Sequence, residues 1–394
     1  MPGPLDGIRV LDLSRFIAGP FCAQMLGDMG AEVIKVERPG GEDARHHAPF
    51  YKGASVYTMI FNRNKRAVTL NTRHPDARAM LEKLIRASDV LVENYRPGTL
   101  AEMGFGYERL HELNPGLVVT SISGFGQTGP LAKRALFDAI AQAMSGLMSL
   151  TGKEEPTLTG TFIADYVAGL HGVIGTVLAL YHRQASGKGQ VVDVASLDAM
   201  FSCLSTYPAA TAMLGDGAMP KRFGSRDPLT GPANVFHARD GYLYLHAGTN
   251  PLFPRLCKAM GREDLAADPR FVTVPGRMAA IEEIEAAVQA WVGGGTIEEA
   301  GEALTAAGIP WGPVNTIRDV VESPQIAARD MMIEVEHPTL GTLKLPGIPV
   351  KLAATPGSVR KPPPLVGEDT DSVYRELLGM DAAEIERLRD KGAI

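Results

Sequence analysis

The first 125 residues alternate short apolar runs with stretches of helical periodicity, and this alternation constrains the fold more than any other feature. Residues 8–13 predict a strand, 21–29 a helix after a turn at Ala18-Gly19-Pro20, and 32–37 a second strand. This order forms a βαβ unit, which implies parallel strands. Further strands are predicted at 68–70, 89–93 and 117–121, and helices at 75–87 and 107–114. The sequence therefore predicts a doubly wound α/β domain.

The rest of the chain predicts more helices and a second domain. We expect helices at 138–150, 164–183 and 197–213, and a strand at 190–194. Residues 214–233 are loop-like and mark a domain boundary. After it we expect a hairpin at 234–247, helices at 252–260, 278–293 and 297–307, a second hairpin at 334–345 and a last helix at 382–391.

Composition and charge narrow the class of protein. The chain has 394 residues, 45% of them hydrophobic, which suits two domains with sizeable cores. The formal net charge of −6 argues against a nucleic-acid binder. The three cysteines form no disulfide or zinc pattern, which favours a reducing cytoplasm, and we find no signal-peptide pattern. The most apolar stretch, 162–181, contains Asp165 and His171, so we expect a buried helix rather than a membrane span.

Several kinds of chemistry are disfavoured because their sequence motifs are absent or incomplete. Gly124, Gly126 and Gly129 match the spacing of a dinucleotide-binding loop, but such a site needs a helix that begins inside the motif. Pro130 follows directly, so a nicotinamide site is disfavoured. The sequence contains no P-loop, no H-E-x-x-H, no Cys/His cluster and no G-x-S-x-G. We therefore predict no metal site and no serine-hydrolase chemistry.

Asp165 lies at the start of the apolar helix, where a carboxylate is costly to bury without a partner. Small residues on this helix would let a ligand or another backbone approach: Ala164, Ala168, Gly169, Gly172 and Gly175. A carboxylate there can attack a carbonyl as a covalent nucleophile, and helix N–H groups can stabilise the developing charge. Taken alone, the residues favour a structural role for Asp165, as a helix cap or in an ion pair.

Arg38 follows the second predicted strand, at the edge where open α/β sheets bind ligands. A guanidinium at this edge could hold a phosphate through two hydrogen bonds. A solvent-exposed surface arginine is the alternative, because most arginines are exposed.

A series of motifs resembles class III CoA-transferases, the family of the formyl-CoA and carnitine CoA-transferases. The matching segments are 12–20, 26–39, 62–66, 92–98, 123–130, 138–142, 187–190, 308–314 and 363–365. They occur in the family's order over nearly the whole chain, so the resemblance is more specific than any single motif.

The resemblance implies that Asp165 is the catalytic residue and that CoA thioesters are substrates, without a tightly bound cofactor. It places the coenzyme A contacts at Ile17, Ala18, Arg38, Leu70, Asn71, Thr72, Arg73, Asn94, Tyr95, Arg96, Arg134, Ala135, Leu136 and Phe137. The implied α/β fold has a large Rossmann-like domain, 1–213 completed by the C-terminal segment 330–394. A smaller α+β domain, 225–325, is joined to it by linkers 214–224 and 326–329. Two chains would form an interlocked homodimer, with no nucleic acid or membrane as partner.

The implied mechanism passes through an anhydride and then a CoA thioester on Asp165, so it needs no ATP and no metal. Some residues depart from the formyl-CoA transferases. Ile17 stands in place of a polar residue, Glu102 in place of a CoA-binding arginine of some members, and 222–235 lacks the glycine-rich loop. These differences argue against oxalate and favour a dicarboxylate acceptor, such as those that receive CoA from succinyl-CoA.

Two other functions are compatible with parts of the pattern. Acyl-CoA racemases resemble the chain in fold and keep the aspartate as a base, but they pair it with a histidine where this chain has Phe137. Proton transfer needs such an acid–base partner, so a transferase is favoured. The other alternative is a protein that binds coenzyme A without catalysis.

Overall fold

The computed structural model of the protein describes residues 2–217 and 222–394. The chain forms two compact units. One comprises Met1–Leu147, Thr159–Ser205 and Gln325–Ile394, and the other comprises Met148–Leu158 and Thr206–Pro324. The sequence-based domain boundaries stay a prediction, and residues 218–221 of the predicted linker 214–224 lie outside the described residues.

Strands and helices alternate through the first part of the chain, and the bounds below are those of both units in chain order. The strands are β1 (Arg9–Asp12), β2 (Glu32–Glu37), β3 (Phe50–Tyr51), β4 (Ala54–Ser55), β5 (Lys65–Thr69), β6 (Val90–Glu93), β7 (Val118–Ser123), β8 (Val191–Ala195), β9 (Ala233–Ala238), β10 (Gly241–His246), β11 (Trp311–Pro313), β12 (Met332–His337) and β13 (Gly341–Pro346). The helices are α1 (Ala18–Asp28), α2 (Val56–Asn62), α3 (Ala77–Arg86), α4 (Thr99–Glu102), α5 (Tyr107–Leu113), α6 (Asp138–Met144), α7 (Leu147–Leu150), α8 (Ile163–Ser186), α9 (Ser196–Ser202), α10 (Thr206–Leu214), α11 (Leu252–Ala259), α12 (Glu263–Ala267), α13 (Val274–Ala279), α14 (Ile281–Gly293), α15 (Ile297–Ala306), α16 (Ile317–Val321), α17 (Pro324–Ala328), α18 (Thr370–Leu378) and α19 (Ala382–Asp390). Short 3-10 helices lie at Asp43–His46 and Pro269–Phe271.

The central sheet of the first unit has the order β5-β2-β1-β6-β7-β8, and every pairing in it is parallel. In chain order this is 3-2-1-4-5-6, the arrangement of a Rossmann-type domain. The strand order reverses between β1 and β6. In such sheets ligands bind beyond the carboxyl ends of the strands at this reversal, so the topology itself indicates where the site lies.

Both faces of this sheet are covered, which explains why its strands are apolar in sequence. On one face Leu11, Ile34 and Leu91 pack with residues of α3, α5, α18 and α19. On the other face Val10 and Val33 pack with residues of α1 and α8. Because these side chains are fully or almost fully buried, replacing a core leucine by alanine costs about 2–5 kcal/mol.

The second unit contains an antiparallel sheet of order β11-β10-β9. The predicted hairpin at 234–247 is confirmed as β9 and β10. Its core includes Phe236, Leu243, Ile284 and Leu304. In the first unit, the predicted hairpin at 334–345 is confirmed as β12 and β13.

Several predicted helices differ from the observed ones for local reasons. The predicted turn at Ala18-Gly19-Pro20 is the first turn of α1, where a proline is tolerated because its missing N–H needs no helical partner. The predicted helix 138–150 is divided at Gly146, with φ 98°, and the predicted helix 197–213 is divided at Ser205, with φ 57°. The predicted helix 278–293 is observed as α13 and α14.

The apolar helix α8 is buried along one face only, whereas the sequence predicted a buried helix. It packs on α1, β7 and β8. Its outward face exposes Leu170, Ile174, Val177, Leu178 and Tyr181. By length and composition α8 could cross a membrane, but one such helix that packs on a sheet is weak evidence for a span. The outward face of α8 is therefore an exposed apolar surface in the single chain.

Candidate active site

A cavity of about 230 Å³ lies beyond the carboxyl ends of β1, β6, β7 and β8, at the reversal of strand order. The residues that line it are Arg15, Phe16, Ile17, Ala18, Asn94, Tyr95, Arg96, Pro97, Ile122, Ser123, Gly124, Arg134, Ala135, Leu136, Phe137, Asp165 and Ser196. The cavity therefore brings Asp165 together with nine of the residues predicted to contact coenzyme A.

Five predicted contact residues do not line this cavity. Arg38 pairs with Asp43, whose carboxylate also lies 3.6 Å from the guanidinium of Arg15. Leu70, Asn71, Thr72 and Arg73 follow the edge strand β5, and Leu70 is almost fully buried. All five follow the strands on the far side of β1, so they lie at the same edge of the sheet but away from the cavity. Their contact with coenzyme A stays a prediction.

The sequence interpretation missed several lining residues, including Arg15, Phe16, Pro97, Ser123 and Ser196. Each lies at the carboxyl end of a strand of the parallel sheet or within a few residues after it, and Ser196 begins α9 directly after β8. That position is the signal that could have found them, because the carboxyl ends of parallel strands meet at one edge.

Asp165 lies in the first turn of α8, and its carboxylate receives no hydrogen bond and no ion pair from the residues that the structure describes. The backbone N–H groups at this helix end are instead bound by Asp138 at the start of α6. Its Oδ1 accepts from the N–H of Ala164 at 2.7 Å and from the N–H of Asp165 at 3.2 Å. Asp138 thus takes the capping role, and within the described part of the chain Asp165 is neither a cap nor an ion-pair partner.

The surroundings of Asp165 favour its protonated form more than water does. Burial, together with the smaller effect of the nearby charge of Asp138, raises the pKa of Asp165 to about 7. A carboxyl with a pKa this far above its usual value and placed in a ligand cavity is typical of functional sites.

Aromatic rings enclose the start of α8. Tyr57 packs edge-on against Phe162, and Tyr166 packs edge-on against Phe21, with centroid distances of 6.4 and 5.1 Å. Burial, together with the charge of Asp165, raises the pKa of Tyr57 far above its usual value. These rings explain why the Asp165 carboxylate is poorly hydrated.

A close contact between α1 and α8 sets the position of Asp165 relative to the cavity floor. Gly169 lies one turn after Asp165, and a Cβ on it would lie 2.8 Å from the backbone oxygen of Ala18. Only glycine permits this approach without movement of the backbone. The small residues predicted from the sequence therefore bring a neighbouring helix close, and through it the loop after β1.

The loops after β1 and β6 are joined by one amide side chain. The Oδ1 of Asn94 accepts the backbone N–H of Arg15 at 2.8 Å, and its Nδ2 donates to the backbone oxygen of Arg15 at 2.7 Å. Both polar atoms of the Asn94 amide bind the backbone of Arg15, so this side chain fixes the shape of the cavity. Only the other atoms of Asn94 are left to contact a ligand.

The backbone of Phe16 has φ 64°, which is uncommon for a residue with a Cβ. Its N–H donates to Glu42 at 3.0 Å, and Glu42 lies 3.5 Å from the ammonium of the buried Lys35. Lys35 also donates to the backbone oxygen of Ser14. Through Glu42 and the buried Lys35, these contacts hold the loop after β1 in its unusual conformation.

A fully buried ion pair lies under the same loop. The ammonium of Lys65 is 2.8 Å from Asp12 and 2.9 Å from the backbone oxygen of Pro20. Burial alone would raise the pKa of Asp12, but Lys35 and Lys65 hold it below its usual value. Removing one partner of such a pair costs about 3–5 kcal/mol, because a charge is left uncompensated in the core.

The mouth of the cavity is electropositive. Arg96 and Arg134 are exposed, and neither pairs with a carboxylate of the described residues. Arg15 stacks over the ring of Tyr95 at 5.7 Å, so its guanidinium points toward the loop after β6. Three guanidinium groups beside one carboxyl suit a ligand with phosphates.

The described residues form neither a metal site nor a dinucleotide-binding loop. Among the described residues, no group of three or more His, Cys, Asp or Glu side chains could hold a metal ion. The glycine motif 124–129 is followed by a loop, and the next helix, α6, begins only at Asp138. Gly124 instead lets Leu136 approach, since a Cβ there would lie 2.5 Å from the Cβ of Leu136.

Comparison with known proteins identifies the family. The family model described as CoA-transferase family III matches residues 5–370. The chain belongs to CoA-transferase family III.

Relatives with known activities align over the whole chain of this CoA-transferase. It is 37% identical to the succinyl-CoA–D-citramalate CoA-transferase of Chloroflexus aurantiacus over 401 residues, which cover 100% of this chain and 98% of that protein. It is 38% identical to the succinyl-CoA:glutarate CoA-transferase of Mus musculus, with 99% of this chain and 90% of that protein covered.

A solved structure of a CAIB/BAIF family protein from Brucella suis superposes with a TM-score of 0.84 at 34% identity. The match covers 96% of this chain and 100% of that one. The predicted α/β fold with a parallel sheet is thus confirmed, and the protein is a family III CoA-transferase, an enzyme whose substrates are CoA thioesters.

Proposed function

We propose that Asp165 is the nucleophile that carries the acyl group and then coenzyme A. One Asp165 oxygen attacks the thioester carbonyl of the donor, and the C–S bond breaks to release CoA thiolate and leave a mixed anhydride. The thiolate attacks the aspartyl carbonyl, so the donor acid leaves and an aspartyl-CoA thioester forms. The acceptor carboxylate reverses both steps. Bonds and charges balance without ATP.

The observation that carries this proposal is the Asp165 carboxylate itself, which lines the cavity and receives no hydrogen bond or ion pair from the described residues. A carboxylate that is tied to donors is a poor nucleophile, since its charge is already stabilised. Asp138 keeps the helix N–H groups occupied, and so leaves Asp165 untied.

We test the proposal by trapping the intermediate. Enzyme mixed with succinyl-CoA and then hydroxylamine is expected to form a hydroxamate on Asp165, detected by mass spectrometry, and to lose activity. Asp165→Asn is expected to abolish transfer. Asp198→Asn, an exposed aspartate in the first turn of α9 outside the cavity, is the matched control. Full transfer by Asp165→Asn, or exchange of the α-proton in D2O without transfer, would overturn the proposal.

We further propose that Arg96, Arg134 and Arg15 hold the phosphates of coenzyme A, with Ile17, Ala18 and 135–137 along its path. The support is their common position around the cavity and the absence of carboxylate partners for Arg96 and Arg134 within the described part of the chain. Phosphate oxygens accept bidentate hydrogen bonds from guanidinium groups.

The proposed acids are dicarboxylates. The relatives from Chloroflexus aurantiacus and Mus musculus are named as succinyl-CoA transferases that act on D-citramalate and glutarate. A panel of mono- and dicarboxylic acids assayed with succinyl-CoA and acetyl-CoA tests this assignment. Equal use of acetate and succinate would contradict it.

We also propose that two copies associate as the interlocked homodimer that the family resemblance implies. The support is the outward face of α8, where five apolar side chains are exposed in the single chain. An exposed apolar surface of this kind typically marks an interface.

A further inference from the structure

A continuous series of aromatic rings leads from the cavity wall to the start of α8, and His47 is the only histidine in it among the described ring contacts. Phe137 packs edge-on against Phe16 at 6.2 Å, and Phe16 contacts His47 at 6.0 Å. His47 packs edge-on against Tyr57 at 5.6 Å, and Tyr57 contacts Phe162, three residues before Asp165.

The ring nitrogens of His47 are not bound by any described residue. The imidazole is exposed, and within the described residues its ring nitrogens make no hydrogen bond and no ion pair. Its contacts are made by the ring faces and edges alone. A polar N–H group held between two aromatic rings and left without an acceptor is open to a ligand.

Among the described residues, three nearby cations are engaged elsewhere. Arg15 is directed toward Tyr95 and Asp43. Lys35 and Lys65 are fully buried and paired. Apart from His47, the series of rings offers only aromatic faces and the phenol of Tyr57.

We propose that His47 determines specificity by donating a hydrogen bond to the distal carboxylate of a dicarboxylic acyl group. This inference rests on the proposed function, in which the proximal carbonyl is attacked by Asp165. The acyl chain would lie along the rings of Tyr57 and Phe16, with its reacting end at Asp165 and its free carboxylate at His47.

The physical reason is the cost of placing a second carboxylate in these surroundings. The aromatic rings would replace part of the water around the acyl chain, and Asp165 and Asp138 already repel negative charge. A donor that compensates the lost part of its hydration therefore favours binding of a distal carboxylate there. A charge-assisted hydrogen bond from an imidazole provides that donor, whereas an acyl group that ends in a methyl gains nothing from it.

The test compares succinyl-CoA with butyryl-CoA, which has the same four carbons and a methyl group in place of the carboxylate. For His47→Gln we expect kcat/KM with succinyl-CoA to fall about 10- to 100-fold, the factor that corresponds to a hydrogen bond to a charged group. The value with butyryl-CoA should change less than about threefold. His47→Arg should keep most of the preference, because it restores a donor.

His46→Gln is the matched control. His46 is adjacent and also exposed, but it lines a different cavity with Pro363 and Pro364 and makes no ring contact among the described residues. We expect its substrate preference to be that of the original enzyme. Equal losses with both thioesters in His47→Gln, or an unchanged ratio, would overturn the inference.

The experiments distinguish a failure of the role proposed for His47 from a failure of the role proposed for Asp165. If hydroxylamine traps Asp165 in His47→Gln while the succinyl/butyryl ratio is unchanged, the nucleophile stands and the role of His47 is wrong. If the ratio falls as expected but Asp165→Asn still transfers CoA, His47 recognises the carboxylate and the proposed mechanism is wrong. Circular dichroism and Tm of each variant confirm that it is folded.

Discussion

Asp138 and Asp165 lie at the same helix end and differ in what they bind. Asp138 is buried and accepts two backbone N–H groups and the amide of Gln142. Asp165 is half-buried and receives none of these. Hydrogen bonds to a carboxylate favour its charged form, and burial without them disfavours it. An aspartate therefore binds the start of α8 at position 138 and is a candidate nucleophile at position 165.

The pH dependence of the reaction follows from this difference. Attack requires ionised Asp165, so kcat/KM for the acyl-CoA is expected to rise with pH through a midpoint of about 7. Asp138→Asn keeps a hydrogen-bond acceptor but removes a negative charge that raises the pKa of Asp165. The midpoint is expected to move to lower pH in that variant, as measured by initial rates from pH 5 to 9. A midpoint that moves upward would contradict this account.

The arginines at the cavity mouth are expected to act on binding rather than chemistry. Arg96→Gln and Arg134→Gln should each raise KM for the acyl-CoA by about tenfold, with kcat nearly unchanged, because each removes a charge-assisted hydrogen bond. The effect should shrink at high salt. Arg375→Gln, an exposed arginine of α18, is the control. A loss confined to kcat would show that these arginines do not hold the phosphates.

The sequence could predict only part of the site. Residues such as Ala18, Arg96 and Phe137 follow strands next to the reversal of strand order, and they meet in one cavity. Arg38 and Arg73 follow the outer strands and do not line it. Asp138 was missed as the partner of Asp165, because its contacts reach the backbone 26 and 27 positions away and leave no local pattern.

At the scale of elements, the contact between α1 and α8 positions the nucleophile. Gly169→Ala would place a Cβ 2.8 Å from the backbone oxygen of Ala18, so the helices must separate. We expect a loss of about 1–3 kcal/mol of unfolding free energy and a larger relative loss of kcat. Gly312→Ala, where a Cβ meets open space, controls for the change of residue type. Urea denaturation and steady-state kinetics measure both effects.

The elements themselves were largely predictable, since strands such as β2 and β6 are short and rich in branched apolar residues. Helix α18 was missed, because its core contacts, made by Val373 and Tyr374, are with residues distant in sequence. The divisions at Gly146 and Ser205 depend on left-handed backbone conformations. Ser205 in particular gives no sign of such a conformation in its sequence.

At the scale of the whole molecule, the outward face of α8 predicts self-association. Ile174→Glu introduces a charge at the centre of the exposed apolar face and is expected to shift the protein from dimer to monomer in light scattering after size-exclusion chromatography. Ile317→Glu places the same charge at another exposed apolar position and serves as the control. A monomer at all concentrations in the unsubstituted enzyme would refute the homodimer.

Helix α8 carries Asp165 in its first turn and the exposed apolar face on the turns that follow. Whatever covers that face therefore also steadies the segment that bears the reacting oxygen. Loss of that cover, as in Ile174→Glu, should then lower the turnover per chain even though the cavity residues are unchanged. Assembly and chemistry would thus be linked through a single helix.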